Sequence, residues 1–260
     1  MDYLPVFLGF AVSFFVGLTG MGGGALMTPA LIFLGISPRV AIGTDLLYAA
    51  VTRLLGSGLH FRKGNVNTHL AVFLLLGSIP GSLASGAVMR VIGESYGYAV
   101  LDTYLMKILG VTLVSVSLIT LYRAVTREQG ILSVEEANRG HPPTFILVTV
   151  GFFVGAIVQL TSVGSGILVT LFLLAFTRMY PRVIVGTDIL YGFFLTSFAT
   201  MIHLTMGNIN FGLAGMLVLG AIPGTYLGVM FNSKIDEKPL RIILASIVFL
   251  SGVALLVKGM

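Results

Sequence analysis

Two aspartates set deep in apolar sequence are the residues best able to do chemistry in this chain. Asp45 ends the triplet Gly43-Thr44-Asp45 and Asp188 ends Gly186-Thr187-Asp188. Each lies roughly 10 Å along a hydrophobic segment that starts at a proline, Pro38 or Pro181. An ionisable group at that depth in hydrocarbon is costly and marks a working position. A carboxyl there can take up and release a proton as its surroundings change. It can equally accept hydrogen bonds from a helix end and anchor the fold. A second set of candidates lies in two glycine clusters, Thr19-Gly20-Met21-Gly22-Gly23-Gly24 and Thr161-Ser162-Val163-Gly164-Ser165-Gly166. Glycine weakens a helix and lets a ligand approach the backbone closely. A helix starting at such a break presents unpaired N–H groups and a partial positive charge, which suits a small anion. The expected anion ligands are therefore the backbones of Gly22, Gly23, Gly24, Gly164, Ser165 and Gly166, with side chains from Thr19, Gln159, Thr161, Ser162 and Ser165. No Arg or Lys adjoins either loop in the sequence, so neutral donors are expected there, binding weakly enough to release. Asp45 and Asp188 are the expected proton carriers.

The elements that position these groups are membrane helices. Hydrophobic residues make up 56% of the chain and charged residues 10%, with a mean hydropathy of +1.01. A soluble domain carries about 25% charged residues, so a multi-pass membrane protein is expected. Met1-Asp2-Tyr3-Leu4-Pro5 lacks the basic start of a signal peptide, and the apolar opening is expected to stay as a helix. The absence of cysteine excludes disulfides and thiolate-bound metals. No His/Asp/Glu spacing matches a metal site, so neither metal nor cofactor is expected. The net charge of +5 reports loop lysines and arginines rather than an anionic partner such as nucleic acid.

The chain repeats itself. Pro38-Arg39-Val40-Ala41-Ile42-Gly43-Thr44-Asp45-Leu46-Leu47-Tyr48 aligns with Pro181-Arg182-Val183-Ile184-Val185-Gly186-Thr187-Asp188-Ile189-Leu190-Tyr191. The same register pairs His60 with His203, Gly64-Asn65-Val66-Asn67 with Gly207-Asn208-Ile209-Asn210, and Ile79-Pro80-Gly81 with Ile222-Pro223-Gly224. Ordered matches of this kind mean internal duplication. The expected division is a first repeat over 1–123, a linker over 124–142 and a second repeat over 143–260. Each repeat reads as five helical segments: about 3–19, 23–36, 38–60, 68–91 and 99–123, then 143–161, 164–177, 181–204, 211–231 and 239–258. The second of each five is too short to cross roughly 30 Å of hydrocarbon. The prolines in the fourth segments are expected to kink them.

Charge placement orients the halves. With an odd number of crossings per repeat, one side collects Arg62, Lys63, Arg123, Arg127, Arg139, Arg178, Arg182, Lys234, Lys238 and Arg241. The other keeps Arg39, Arg90 and Lys258. The positive-inside rule selects that arrangement. The repeats are then inverted, both termini lie outside and the linker is cytoplasmic. Inverted repeats with broken helices meeting near the midplane are the architecture of secondary transporters. Arg53 has no charged counterpart, since Thr196 takes its place, and is expected to snorkel toward the cytoplasm, with contact to the substrate as the alternative. His60 and His203 are expected at interfacial or loop-capping positions.

The Gly20-Met21-Gly22-Gly23-Gly24 opening with Pro29, the Gly43-Thr44-Asp45 triplet, Gly64-Asn65-Val66 and Ile79-Pro80-Gly81 resemble the sulfite exporter TauE/SafE family. The resemblance covers nearly the whole chain and occurs twice, departing at Gly164-Ser165-Gly166 and at Leu171, where the proline is missing. It implies a membrane permease for sulfite or small organosulfur anions such as sulfonates or sulfoacetate. A passive anion channel is the alternative. An intramembrane aspartyl enzyme is disfavoured, because Tyr-Asp paired with Gly-x-Gly-Asp is absent, and the chain is not expected to be an enzyme.

Overall fold

The computed structural model describes residues 3–19, 24–62, 64–126, 143–177, 179–232 and 237–259. Most of the expected linker, and Gly22 and Gly23 of the first glycine cluster, lie outside the described residues. Ten helices account for the rest: α1 (Leu4–Thr19), α2 (Gly24–Phe33), α3 (Pro38–Arg62), α4 (Thr68–Tyr96), α5 (Tyr98–Thr126), α6 (Thr144–Thr161), α7 (Ile167–Phe176), α8 (Pro181–Thr205), α9 (Phe211–Asn232) and α10 (Glu237–Lys258). The expected segments are all present. Both second segments are short, at 10 residues each.

Six helices, α4, α5, α6, α8, α9 and α10, are long and apolar enough to cross a membrane. The 25 residues of α3 provide the length, but Arg39, Asp45, Arg53 and Arg62 make it the polar helix of the set. Asp45 is buried within the bundle, Arg39 pairs with Asp102 of α5, and Arg62 is exposed at the helix end, while α3 packs along α8. Large apolar side chains such as Phe7, Phe145, Leu219 and Leu250 are exposed on the outside of the bundle, where lipid is their natural solvent. This is a multi-pass membrane protein.

The packing interchanges when the two repeats are exchanged. α1 runs along α9 and its equivalent α6 runs along α4, while α3 packs on α8 and α5 on α10. Glycines set these contacts. A Cβ on Gly77 would meet the Val148 carbonyl oxygen at 1.9 Å, and one on Gly220 would meet that of Val6 at 1.9 Å. Small residues let helix backbones touch where lipid gives no hydrophobic drive for association. Gly110 of α5 lies against Gly252 of α10 in the same way. Pro80 and Pro223 both sit inside continuous helices, α4 and α9.

The α3–α8 pair is antiparallel and is closed by a reciprocal clasp. Gly43 near the start of α3 faces the Asn208 carbonyl just beyond α8, and Gly186 near the start of α8 faces the Asn65 carbonyl just beyond α3. The Asn67 N–H donates to Thr187 Oγ1 at 2.9 Å, and the Asn210 N–H donates to Thr44 Oγ1 at 3.1 Å. The same asparagines cap the helices that follow, Asn67 Oδ1 accepting from Leu70 N–H and Asn210 Oδ1 from Leu213 N–H. Gly64 and Gly207 take positive φ, 66° and 69°, to turn the chain into these caps. The motif Gly-Thr-Asp of one repeat is thus the socket for the Gly-Asn-x-Asn turn of the other.

Antiparallel packing of equivalent helices is the sense that oppositely oriented repeats require. It places the exposed ends of α3 and α8, Arg62 and Thr205, at opposite ends of the bundle. In this cysteine-free chain, Arg62→Cys is expected to react with an impermeant maleimide only from the cytoplasmic side. Thr205→Cys is expected to react only from outside. Labelling of both from the same face of intact cells would contradict the inverted arrangement.

Candidate functional site

Asp45 and Asp188 both lie inside the bundle, 0% and 8% exposed. Their surroundings differ. Asp45 Oδ2 accepts a hydrogen bond from Thr28 Oγ1 of the short helix α2 at 2.5 Å, and the Ser162 hydroxyl lies beside the same carboxyl. Asp188 has Arg53 as its partner by charge alone. Neither carboxylate forms an ion pair within 4.0 Å among the described residues, where the Arg39–Asp102 pair at 3.2 Å is found instead. Oδ1 of each aspartate is buried without a hydrogen-bond partner among the described residues.

Arg53 is the residue that sequence reasoning misplaced. It does not snorkel. Its Nη1 donates to Ser165 Oγ at 2.7 Å, in the glycine loop of the opposite repeat. The expectation that no cation stands beside that loop is therefore overturned. Gly192 makes room for the guanidinium, since a Cβ there would lie 2.0 Å from Nη1. Arg53 also feels the charges of Asp188 and, less strongly, Asp45. One guanidinium thus stands within charge range of two carboxylates, neither of them within 4.0 Å. The missing repeat partner was a poor reason to set Arg53 aside, because its contacts lie in the other repeat, at Ser165 and Gly192.

The loop that receives Arg53 joins α6 to α7. Ser162 closes α6 in the left-handed region, φ 59°, with its N–H on the Val158 carbonyl at 2.8 Å. Gly164 follows at φ 114°, a conformation that glycine adopts without strain. The Thr161 hydroxyl is committed to shaping this turn: it donates to the Ile157 carbonyl at 2.7 Å and accepts from Val163 N–H at 3.1 Å. Gly166 precedes the first residue of α7. Ser165 and Ser162 are buried, and Ser162 Oγ has no partner among the described residues. Gln159 is fully buried with both amide atoms unpartnered among those residues, while its backbone carbonyl accepts from His203 Nε2 at 3.0 Å. His203, expected to be interfacial or loop-capping, is buried and braces the last turn of α6. In the first cluster Thr19 closes α1 and Gly24 opens α2.

The tyrosine three residues beyond each aspartate was not singled out from the sequence. Tyr191 OH bonds Ser78 Oγ of α4 at 2.6 Å, and Tyr48 OH bonds Ser13 Oγ of α1. Both phenols are buried and tie the aspartate helices to the neighbouring spans. No group of three or more His, Cys, Asp or Glu side chains that could hold a metal occurs among the described residues.

A lipid-facing helical bundle with buried polar residues and two short helices is the architecture of a multi-pass membrane protein. The sulfite exporter TauE/SafE family matches along residues 5–255, and the chain belongs to that family. It is similar to the probable membrane transporter protein YjnA of Bacillus subtilis (strain 168), 35% identical over 98% of this chain and 100% of the relative. It is also similar to YunE of the same organism, 27% identical over 98% of this chain and 97% of that one. A third relative is the probable membrane transporter protein MJ0441 of Methanocaldococcus jannaschii, 27% identical over 97% and 94%. No solved structure matches.

Proposed function

We propose that the protein is a secondary transporter of a small anion, most simply sulfite or a small organosulfur anion such as a sulfonate or sulfoacetate. In this reading transport is coupled to protons and proceeds by alternating access between two inverted repeats. The observation that carries the reading is the Arg53–Ser165 contact. It sets a guanidinium beside the N-terminal end of α7, where backbone donors and helix dipole already favour an anion. Guanidinium presents planar paired donors that match a sulfonate or sulfite oxygen pair. Ser162, Ser165, Gln159 and the amides of Gly164 and Gly166 line the remainder of this half-site, with Thr161 shaping its turn. Thr19, Gly22, Gly23 and Gly24 form the corresponding part in the first repeat. Asp45 and Asp188 form the proton-coupling pair. Both termini face outside, the 124–142 linker faces the cytoplasm, and the two short helices approach the midplane from opposite leaflets. The antiparallel α3–α8 pair, the charge distribution and the family's name support that arrangement.

The test is flux into proteoliposomes. Radiolabelled sulfite is expected to accumulate above equilibrium when an inward pH gradient is applied, and to equilibrate without accumulation when the gradient is collapsed. Equilibration at the same rate in both conditions would identify a passive channel. Absence of sulfite and sulfonate movement in either would remove this substrate class.

A further inference from the structure

The buried centre has one positive residue and two negative ones. Arg53 Nη1 lies over Gly192, one turn beyond Asp188 on α8, within reach of the charges of Asp188 and Asp45, and the groups around Asp188 can be enumerated. α3 contributes Arg53, Asp45 and His60, whose Nδ1 lies against Gly186 two residues before Asp188, α8 itself contributes Tyr191, and α6 and α7 contain no titratable residue. The titratable residues of α4 (His69, Arg90, Glu94 and Tyr96) fall in its first turn or last two turns. An unbalanced charge in a low-dielectric interior is expensive, and such sites neutralise rather than hold it. With both aspartates ionised the empty centre would be negative, and an incoming anion would double the imbalance.

We propose that this centre stays electroneutral through the transport cycle, so that one proton moves with each monoanion and transport carries no net charge. The proposal rests on the anion reading of the Arg53 site. In the empty state one carboxyl is protonated and the other balances Arg53. When a monoanion takes Arg53, the released carboxylate accepts one proton, and the centre again sums to zero. Asp188 is the one that changes. Its partner is the charge of Arg53, which the anion captures, and unlike Asp45 it accepts no hydroxyl hydrogen bond among the described residues. Asp45 keeps the Thr28 hydroxyl whether or not the anion is bound. On release the anion leaves Arg53, Asp188 gives up its proton to the same side, and the guanidinium recovers its carboxylate.

Calorimetry with methanesulfonate on the purified protein tests this, because that probe stays a monoanion across the working pH range and brings no proton of its own. Titrations in buffers of different ionisation enthalpy are expected to give an uptake close to one proton per anion. The sign follows from linkage: if the complex holds one more proton than the free protein, affinity falls with rising pH, by up to tenfold per unit. The double variant Asp45→Asn, Asp188→Asn leaves no carboxyl at the centre and is expected to bind methanesulfonate with no proton uptake and little pH dependence. Asp45→Asn is expected to retain an uptake near one. In proteoliposomes, wild-type flux is expected to follow the pH gradient and to ignore a potassium–valinomycin voltage. Binding without proton uptake, or flux driven by voltage at zero pH gradient, overturns the electroneutral cycle and leaves the anion site standing. Absence of methanesulfonate and sulfite binding by the wild-type protein overturns both. Equal proton uptake by wild type and the double Asp45→Asn, Asp188→Asn variant overturns the assignment of the proton to these carboxyls.

Discussion

Replacing Arg53 with glutamine is expected to weaken methanesulfonate binding at least a hundredfold, about 2.7 kcal/mol. Two effects add. A hydrogen bond to a charged partner contributes about 1.5–3 kcal/mol, and a buried charge left without its partner costs about 3–5 kcal/mol. Neutral donors on the loop cannot replace the lost charge. Ser165→Ala is expected to do much less, since it removes one hydroxyl and leaves both guanidinium and backbone in place. Gly192→Ala is the informative intermediate. It leaves Arg53 chemically intact but puts a methyl where Nη1 now lies, 2.0 Å from the new Cβ. Affinity should fall between the other two. If Arg53→Gln proves too unstable to assay, Arg53→Gln with Asp188→Asn restores the charge balance and should fold without binding. Wild-type affinity in a folded Arg53→Gln protein would place the anion elsewhere.

The second large effect concerns the clasp rather than the site. Gly186→Ala is expected to abolish a monodisperse detergent-solubilised protein, or to lower its melting temperature by several degrees. Its Cβ would lie 1.9 Å from the Asn65 carbonyl oxygen, a backbone atom that cannot rotate away. Relief requires α3 and α8 to separate. Overpacking of this kind costs about 1–3 kcal/mol, and the separation also stretches the Asn67–Thr187 hydrogen bond beside it. Gly43→Ala should behave alike, with its Cβ 2.1 Å from the Asn208 carbonyl. The control is Gly58→Ala in the same helix α3, where nothing lies within 4 Å. There alanine gains helix propensity, up to about 1 kcal/mol, so the sign should reverse. Fluorescence-detected size exclusion and a thermal ramp separate the three variants. Equal stability of Gly186→Ala and Gly58→Ala would show that the α3–α8 approach is not set by these glycines.

Much of the scaffold was legible because it is written locally. Glycine clusters, prolines and apolar run lengths place the helix ends to within a few residues, and the two short helices follow from segments too brief to span. Duplication was visible because the repeated motifs keep their order. The site was less legible, for a physical reason. Arg53 and Ser165 are separated by 112 positions, and nothing in the sequence near either one names the other. Comparing repeats directed attention to paired residues, and so discounted the single cation lying between them. The same comparison read Gly-Thr-Asp as one chemical motif, whereas the structure divides it. Glycine and threonine receive the partner repeat's turn, and the aspartate alone faces the polar centre. His203 misled for a similar reason: it ends a segment in the sequence, yet packing of α8 against α6 brings it to the Gln159 carbonyl.

The reciprocal clasp also sets a timetable for biogenesis. Thr44 and the asparagine amide it receives are 166 positions apart. At about 5–20 residues per second, synthesis of the partner turn trails that of Thr44 by roughly ten to thirty seconds. Through that interval the first repeat stands in the bilayer with its socket empty and its own Asn67 turn unplaced. Neither can be completed within the half that carries it. Maturation of the first half therefore waits on insertion of the second, and a nascent chain arrested after α5 should be held by the insertion machinery or degraded rather than released as a stable half-protein.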